Sequence, residues 1–548
     1  MYAIGMSFHR FRKTASVALS ALLLFPSWVV VRADAYTGSP KLVIILVIDQ
    51  FRGDYLERYR GDFKTSDGFN LFLQRGAYFT DCYYNYGNTM TAPGHSTIGT
   101  GAYTPGHGIG LNQWWDTSRS RIHPVSSVED ERYEIVGDHG PADIGTSPRN
   151  ELASTLGDEL MLATRGESKL FGISLKDRAA ILTAGHASNG AFWLDHATGH
   201  FVSSSYWGPE LPAWVKKFNA SGRTEKAAKQ AKGRPGYFYD DVGANPASVS
   251  YLLDFAQELV SSEKLGQRSA TDLLTISISS TDILGHRVGP DAPEQRTMID
   301  AIDVDLDHFF SYLDKHVDGG LGNVMIALTG DHGIGPTNAG AAAARMPAAV
   351  FNMSRVIAAL EVGLNAHFTT REKIRFLRES ELPYITLDAE TFSALRVPED
   401  VAEKAVAELL PGAFESTQTP DPGGAVRLPV RMPLRKTYTK TEMREGRIAS
   451  TPEGQLITNS YSPYGGWYVM LTPGMYAQSS PSGANHYTPY SYDRHVPLAF
   501  FGAPFLPGTY HELVEPVDIA VTFASLLRVN RPSAAVGRVL TFALKPGQ

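Results

Sequence analysis

A chain of 548 residues with 43% hydrophobic and 20% charged content can bury a large core and is not composed like a disordered protein. Its net charge of -7 provides no field to hold a polyanion, so nucleic acid is not expected as a stable partner. A single cysteine, Cys82, excludes an intrachain disulfide, so stability has to come from the core.

At the start of the chain His9, Arg10, Arg12 and Lys13 precede an apolar run from Ala15 to Val31 and the small-residue triplet Ala33-Asp34-Ala35. This is the pattern of a signal peptide. Pro26 interrupts the run, which is short for a membrane span. Residues 1–35 are therefore read as a cleaved leader, an uncleaved anchor being the alternative, and residues 36–548 as one elaborated domain. Periplasmic or secreted location follows, with no transmembrane segment after cleavage.

The run Leu42–Ile48 ends at Asp49, Leu273–Ile278 leads to Asp282, and Val324–Leu328 runs into Asp331 and His332. Apolar runs that stop abruptly at polar residues read as strands of a buried parallel sheet. Cys82 lies in the aromatic stretch Tyr78–Tyr84 and reads as a buried structural thiol. Asn88 to Thr97 offers several hydroxyls, Thr91 among them, where a helix can begin at Pro93. Thr91 reads either as a helix cap or as a nucleophile beside a helix N-terminus, which presents free N–H groups to phosphate. Residues 196–243, with a cluster of Lys and Arg, and the loop-rich residues 411–454 read as insertions that can cap a site. Ala339–Ala344 predicts a helix or mobile linker, and the tail from His495 a strand followed by a helix.

Strand-end acids in an open α/β sheet converge on the crevice outside the carboxyl ends, and like charges gathered there need a cation. Asp282 has His286 four residues on, and Asp331 is followed directly by His332. Mixed carboxylate and imidazole donors suit zinc, while manganese or iron accept the same types.

The segments Val47-Ile48-Asp49-Gln50-Phe51-Arg52, Thr91-Ala92-Pro93-Gly94-His95, His107-Gly108-Ile109, Thr281 to His286, Gly330-Asp331-His332-Gly333 and Gly483-Ala484-Asn485-His486 resemble the alkaline phosphatase superfamily. The branch they resemble has a threonine nucleophile and includes nucleotide pyrophosphatase/phosphodiesterases and phosphate-irrepressible (PafA-type) alkaline phosphatases. The resemblance implies an α/β fold, a mostly parallel central sheet flanked by helices with inserted cap segments. It implies two zinc ions, one held by Asp282, His286 and His486 and the other by Asp49, Thr91, Asp331 and His332. Thr91 would attack phosphorus and be transiently phosphorylated. His486 is assigned by the resemblance alone, and His95, His107 and His495 match no ligand position.

Lys176 and Arg178, in Ser174-Leu175-Lys176-Asp177-Arg178, and Asn112, in Gly110-Leu111-Asn112-Gln113, resemble the phosphate-binding residues of PafA-type enzymes. Cationic donors on the non-bridging oxygens favour small-molecule phosphate monoesters over diesters. A phosphodiesterase or nucleotide pyrophosphatase on the same site is the alternative, followed by a non-catalytic phosphate-ester-binding relative. No protein partner is implied.

Overall fold

The computed structural model describes residues 38–546 apart from 121, 141–143, 418–432 and 481. The leader read at 1–35 and the run Pro420 to Gly424 lie outside these residues. Strands used below are β1 (Leu42–Ile48), β2 (Ala77–Tyr83), β3 (Ile135–Val136), β4 (Leu170–Ser174), β5 (Gly190–Leu194), β6 (Phe201–Ser204), β7 (Asp272–Ile278), β8 (Val324–Thr329), β9 (Tyr384–Thr386), β10 (Leu434–Thr439), β11 (Tyr468–Pro473), β12 (His495–Phe501) and β13 (Gly508–Tyr510). The helices are α1 (Thr91–Thr100), α2 (Asp177–Ala184), α3 (Ala247–Glu263), α4 (Ser280–Val288), α5 (Pro293–His316), α6 (Met353–His367), α7 (Glu399–Ser416) and α8 (Val517–Leu527).

Among the described residues ten strands form one sheet in the order β13-β2-β12-β8-β1-β7-β4-β5-β6-β3. Strands β8, β1, β7, β4 and β5 are mutually parallel, whereas β12 and β6 run against their neighbours. Every residue of β1 is buried, as expected of a strand covered on both faces. Leu42, Ile44, Leu46 and Ile48 pack into a cluster with Leu252 and Phe255 of α3 and Ile302 and Leu306 of α5. The alternate residues Val43, Ile45 and Val47 share a second cluster with Ile98 of α1 and Phe523 of α8, following the two-residue period of a strand.

Register decides where polar side chains emerge. Ile48 lies opposite Ile278, Val47 opposite Thr329, and Ser174 opposite Ser277. The carboxyl ends of β1, β7, β8 and β4 are therefore flush, and the residues that follow them share one edge of the sheet.

A smaller layer covers that edge. β9 and β10 flank β11 antiparallel, and with α6 and α7 they enclose their own core around Leu360, Leu364, Ile385, Val406, Leu410 and Val469. The loop expected from Pro411 is not there: α7 continues through Pro411 to Ser416. Leu410 and Phe414 are buried on either side of the proline, and this tertiary burial outweighs its cost to the helix. Residues 434–458 likewise form β10 and two short helices, Lys440–Arg444 and Pro452–Thr458.

Residues 196–243 join the main body more closely than a lid does. β6 pairs with β5, and Val215, Phe218, Ala227 and Phe238 enter the main core, leaving Lys216, Lys217, Lys226, Lys229 and Lys232 exposed. The alanine tract forms the helix Asn338–Ala343, and the tail forms β12 and, beyond β13, α8. Helix α1 starts at Thr91, two residues earlier than expected. Among the described residues no helix is long and apolar enough to cross a membrane.

Candidate metal centre and nucleophile

Asp49 directly follows β1, Lys176 caps the start of α2 after β4, Asp282 lies in the first turn of α4 after β7, and Asp331 and His332 follow β8. Helix α1 brings Thr91 to the same place and approaches β8 closely. A Cβ on Gly94 would lie 2.3 Å from the carbonyl oxygen of Asp331, so only glycine allows that approach.

Lys176 is 3% exposed, and its Nζ lies 2.6 Å from Asp49 Oδ2, 2.6 Å from Asp282 Oδ2 and 3.4 Å from Thr91 Oγ1. Burial pushes the ammonium toward neutrality, but Asp282 and Asp49 more than offset it and hold it charged. For Asp49, burial and the charges of Asp282 and Asp331 raise the carboxyl well above its ordinary range. Burial also opposes ionisation of Asp282, yet Lys176 and His286 outweigh it and keep this group ionised.

The three histidines share one arrangement. His286 Nδ1 donates to the carbonyl of Ala484 at 2.9 Å, His332 Nδ1 to that of Gly333 at 2.9 Å, and His486 Nδ1 to that of Thr89 at 2.7 Å. A carbonyl only accepts, so in each neutral ring the proton sits on Nδ1 and the Nε2 lone pair is turned inward. Those Nε2 atoms meet the carboxylates: His286 is 3.1 Å and His486 3.5 Å from Asp282 Oδ1, and His332 is 3.4 Å from Asp49 Oδ1. Burial pulls His332 down to about 3 and also lowers His486, while for His286 the Asp282 carboxylate overcomes burial and raises it.

This donor set fits a divalent metal. Asp282, His286 and His486 form one group and Asp49, Asp282 and His332 another, with the donor atoms of each group within 4.8 Å of one another. The Nε2 atoms of His286 and His486 are 3.3 Å apart, a repulsive meeting of lone pairs unless a cation lies between them. Among the described residues Asp49 Oδ1 and His332 Nε2 are buried without a hydrogen-bond partner, which is costly for isolated groups and natural for ligands, while Asp331 Oδ2 lies 3.3 Å from His95 Nδ1.

Asp331 stands beside the second group: its Oδ1 accepts the backbone N–H of Gln50 at 3.0 Å, and its Oδ2 is 3.6 Å from His332 Nε2. Asn112 Oδ1 accepts the N–H of Ala92 at 2.9 Å, immediately after Thr91. Asn112, Met90, Glu381, His286 and His486 line a cleft of about 510 Å³. Arg178 lies one residue into α2 and lines a separate cavity of about 400 Å³ with Trp193 and Asp195, while its charge acts on Glu381. His95 is enclosed by Thr91 O and Ser277 Oγ, each at 2.8 Å, and His107 and Cys82 are fully buried.

Two participants escaped the sequence reading. Gln50 Nε2 donates to Asp282 Oδ1 at 2.6 Å from a backbone at φ 62°, so one residue braces two acids. Its position directly after a strand-end acid was the only available signal. Glu381 comes from the loop before β9, and nothing local marks it.

An α/β sheet that gathers acids, imidazoles and a buried lysine around a helix-borne threonine defines a metal-site hydrolase of phosphoesters, a class the comparisons share. The profile of the type I phosphodiesterase/nucleotide pyrophosphatase family matches residues 43–464, and the chain belongs to that family, within the alkaline phosphatase superfamily. It is 31% identical to the alkaline phosphatase PhoV of Synechococcus elongatus over 92% of this chain and 93% of that protein. It is 30% identical to the alkaline phosphatase PafA of Elizabethkingia meningoseptica over 92% and 94%. The crystal structure of wild-type PafA superposes with a TM-score of 0.80 at 29% identity, covering 93% of this chain and 99% of that one. Murine ectonucleotide pyrophosphatase/phosphodiesterase 5 shares the fold, with a TM-score of 0.53 at 16% identity over 92% of this chain and 100% of its own.

Proposed function

We propose that this chain is an exported, two-zinc phosphate monoesterase, an alkaline phosphatase, that works through a covalent phosphothreonine at Thr91. The observation that carries the reading is the placement of Thr91 Oγ1 3.4 Å from the Lys176 ammonium, which itself bridges Asp49 and Asp282. The similarity to two alkaline phosphatases over nearly the whole chain supports it, and the leader pattern supports export.

In this reading Asp282, His286 and His486 hold one zinc, and Asp49, Thr91, Asp331 and His332 the other. The bound metals would supply Lewis-acid charge that lowers the pKa of the threonine hydroxyl and neutralises the departing oxygen. Thr91 Oγ1, its proton lost to solvent water, attacks phosphorus in line, and the departing oxygen takes a proton back from solvent water. The bond to the leaving oxygen breaks, and the electron pair departs with that oxygen. Water then cleaves the P–Oγ bond, releasing inorganic phosphate and restoring the hydroxyl. Lys176, buried beside Thr91 Oγ1, would contribute its charge to the phosphoryl oxygens. Asn112 would complete the phosphate contacts from the cleft, and Arg178, whose charge reaches Glu381 in the cleft wall, would have to turn toward it; their combined positive and donor character favours the extra charged oxygen of a monoester.

The description of the matching family favours a second reading, a phosphodiesterase or nucleotide pyrophosphatase. The two groups of carboxylate and imidazole donors beside Thr91 speak against a non-catalytic role. The deciding experiment compares kcat/KM for an aryl phosphate monoester and the matching methyl aryl diester, in the zinc-loaded protein and in Lys176→Ala/Arg178→Ala, with zinc content measured in both. The expected result is a strong monoester preference that collapses in the double variant. Preference for the diester overturns the monoesterase assignment.

A further inference from the structure

The smaller layer reaches the cleft through residues 378–382, and this loop carries a carboxylate that neither the metal centre nor the nucleophile uses. Glu381 Oε2 accepts the backbone N–H of Gln113 at 3.0 Å, and its Oε1 accepts from Asn112 Nδ2 at 3.5 Å. On the opposite side, Asn112 Oδ1 accepts from Ala92 N at 2.9 Å. Because the Ala92 N–H identifies Oδ1, the other end of the Asn112 amide is its NH₂ group, which faces Glu381 and the cleft. One of the two amide hydrogens goes to Glu381. The other remains for a phosphoryl oxygen.

The loop itself is anchored to the segment it braces. Trp115 Nε1 donates to Glu379 O at 2.8 Å, Arg378 lies over the Trp115 ring at 5.2 Å, and Arg378 pairs with Asp388 at 3.0 Å. Burial pushes the Glu381 carboxyl up to about 7, against the Gln113 N–H and the Arg178 charge, as expected for a group in the desolvated wall of the cleft. Without Glu381, Asn112 would keep only its bond to Ala92, and the free end of its amide would turn about a soft terminal torsion.

We propose that Glu381 is a positioning residue lent by the smaller layer, holding the Asn112 amide in the orientation that donates to the bound phosphoryl group. The inference rests on the reading of Asn112 as a phosphate contact. It names a residue of this cleft that acts through another side chain, and the two ideas fail differently.

The test is a double-mutant cycle on the zinc-loaded full chain: wild type, Glu381→Ala, Glu381→Gln, Asn112→Ala and Glu381→Ala/Asn112→Ala. Each is assayed for kcat/KM on an aryl phosphate monoester and for inhibition by inorganic phosphate, with thermal midpoints recorded alongside. Glu381→Ala is expected to lower kcat/KM about tenfold and weaken phosphate binding in parallel, and to add nothing once Asn112 is alanine. Glu381→Gln, which keeps the size of the side chain and can accept from one of the two donors, is expected to lose less. An equal loss in both backgrounds, or none in Glu381→Ala, overturns the proposal. An Asn112→Ala variant with undiminished kcat/KM overturns the underlying reading of Asn112 instead, and the proposal with it.

Discussion

The main sheet and the smaller layer face the same cleft, but they hold their side chains there by different means. Asp49, Lys176 and Asp331 leave strands whose ends are flush, so ladder hydrogen bonds on both sides fix the backbone that carries them. Glu381 sits on a loop whose hold on the cleft is a handful of side-chain bonds. Register leaves little freedom and makes the sheet's contribution close to all-or-none. Loop-borne contacts can be weakened one at a time, so the smaller layer should yield graded effects.

The largest expected effect breaks the sheet side of this contrast. Thr91→Ala should lower kcat for a monoester by about a thousandfold or more while leaving the far-ultraviolet circular dichroism unchanged, because in the proposed mechanism the hydroxyl oxygen forms the bond to phosphorus. Wild-type turnover in that variant would remove threonine from the mechanism.

Metal removal comes next. With chelator, activity should disappear and the thermal midpoint fall by several degrees, because the buried acids Asp49, Asp282 and Asp331 then lose the cation's charge; added zinc should restore both. A midpoint indifferent to chelator and zinc would count against metal in this site.

The smallest effect belongs wholly to the smaller layer. Burial pushes Glu403, on α7, up to about 7, against the Thr441 N–H that it accepts. The folded state therefore keeps a proton that the unfolded chain has lost between about pH 4.5 and pH 7. The stability this group contributes is full below about pH 4.5 and falls as pH rises toward 7. Glu403→Gln should flatten that slope, changing the stability difference between pH 5 and pH 8 by on the order of 1 kcal/mol with kcat untouched. Urea melts at the two pH values measure it, and parallel wild-type and variant slopes would exclude Glu403 as the source.

The same contrast explains what could be read in advance. Each acid at the end of a buried parallel strand announces itself, because the apolar run before it is continuous and local. β1 was legible to the residue, and β7 and β8 nearly so. Gln50 and Glu381 are legible only in space, since their partners lie 232 and 269 residues away. The helix through Pro411 was hidden for a related reason: proline is a strong local signal, and what overrides it is packing contributed by distant elements. His486 came from family resemblance, because no spacing rule connects it to His286.

That separation has a consequence in time. His286 and His486, whose Nε2 atoms nearly touch, are 200 residues apart in the chain. At a synthesis rate of about 5–20 residues per second, roughly 10–40 s pass between the emergence of one and of the other. A nascent or prematurely ended chain that has passed residue 332 thus carries most of the sheet and Thr91 but only part of the donor set. In the proposed mechanism catalytic competence belongs to the finished polypeptide, and a nonsense lesion between residues 333 and 486 would silence the enzyme even with Thr91 and all three strand-end acids intact.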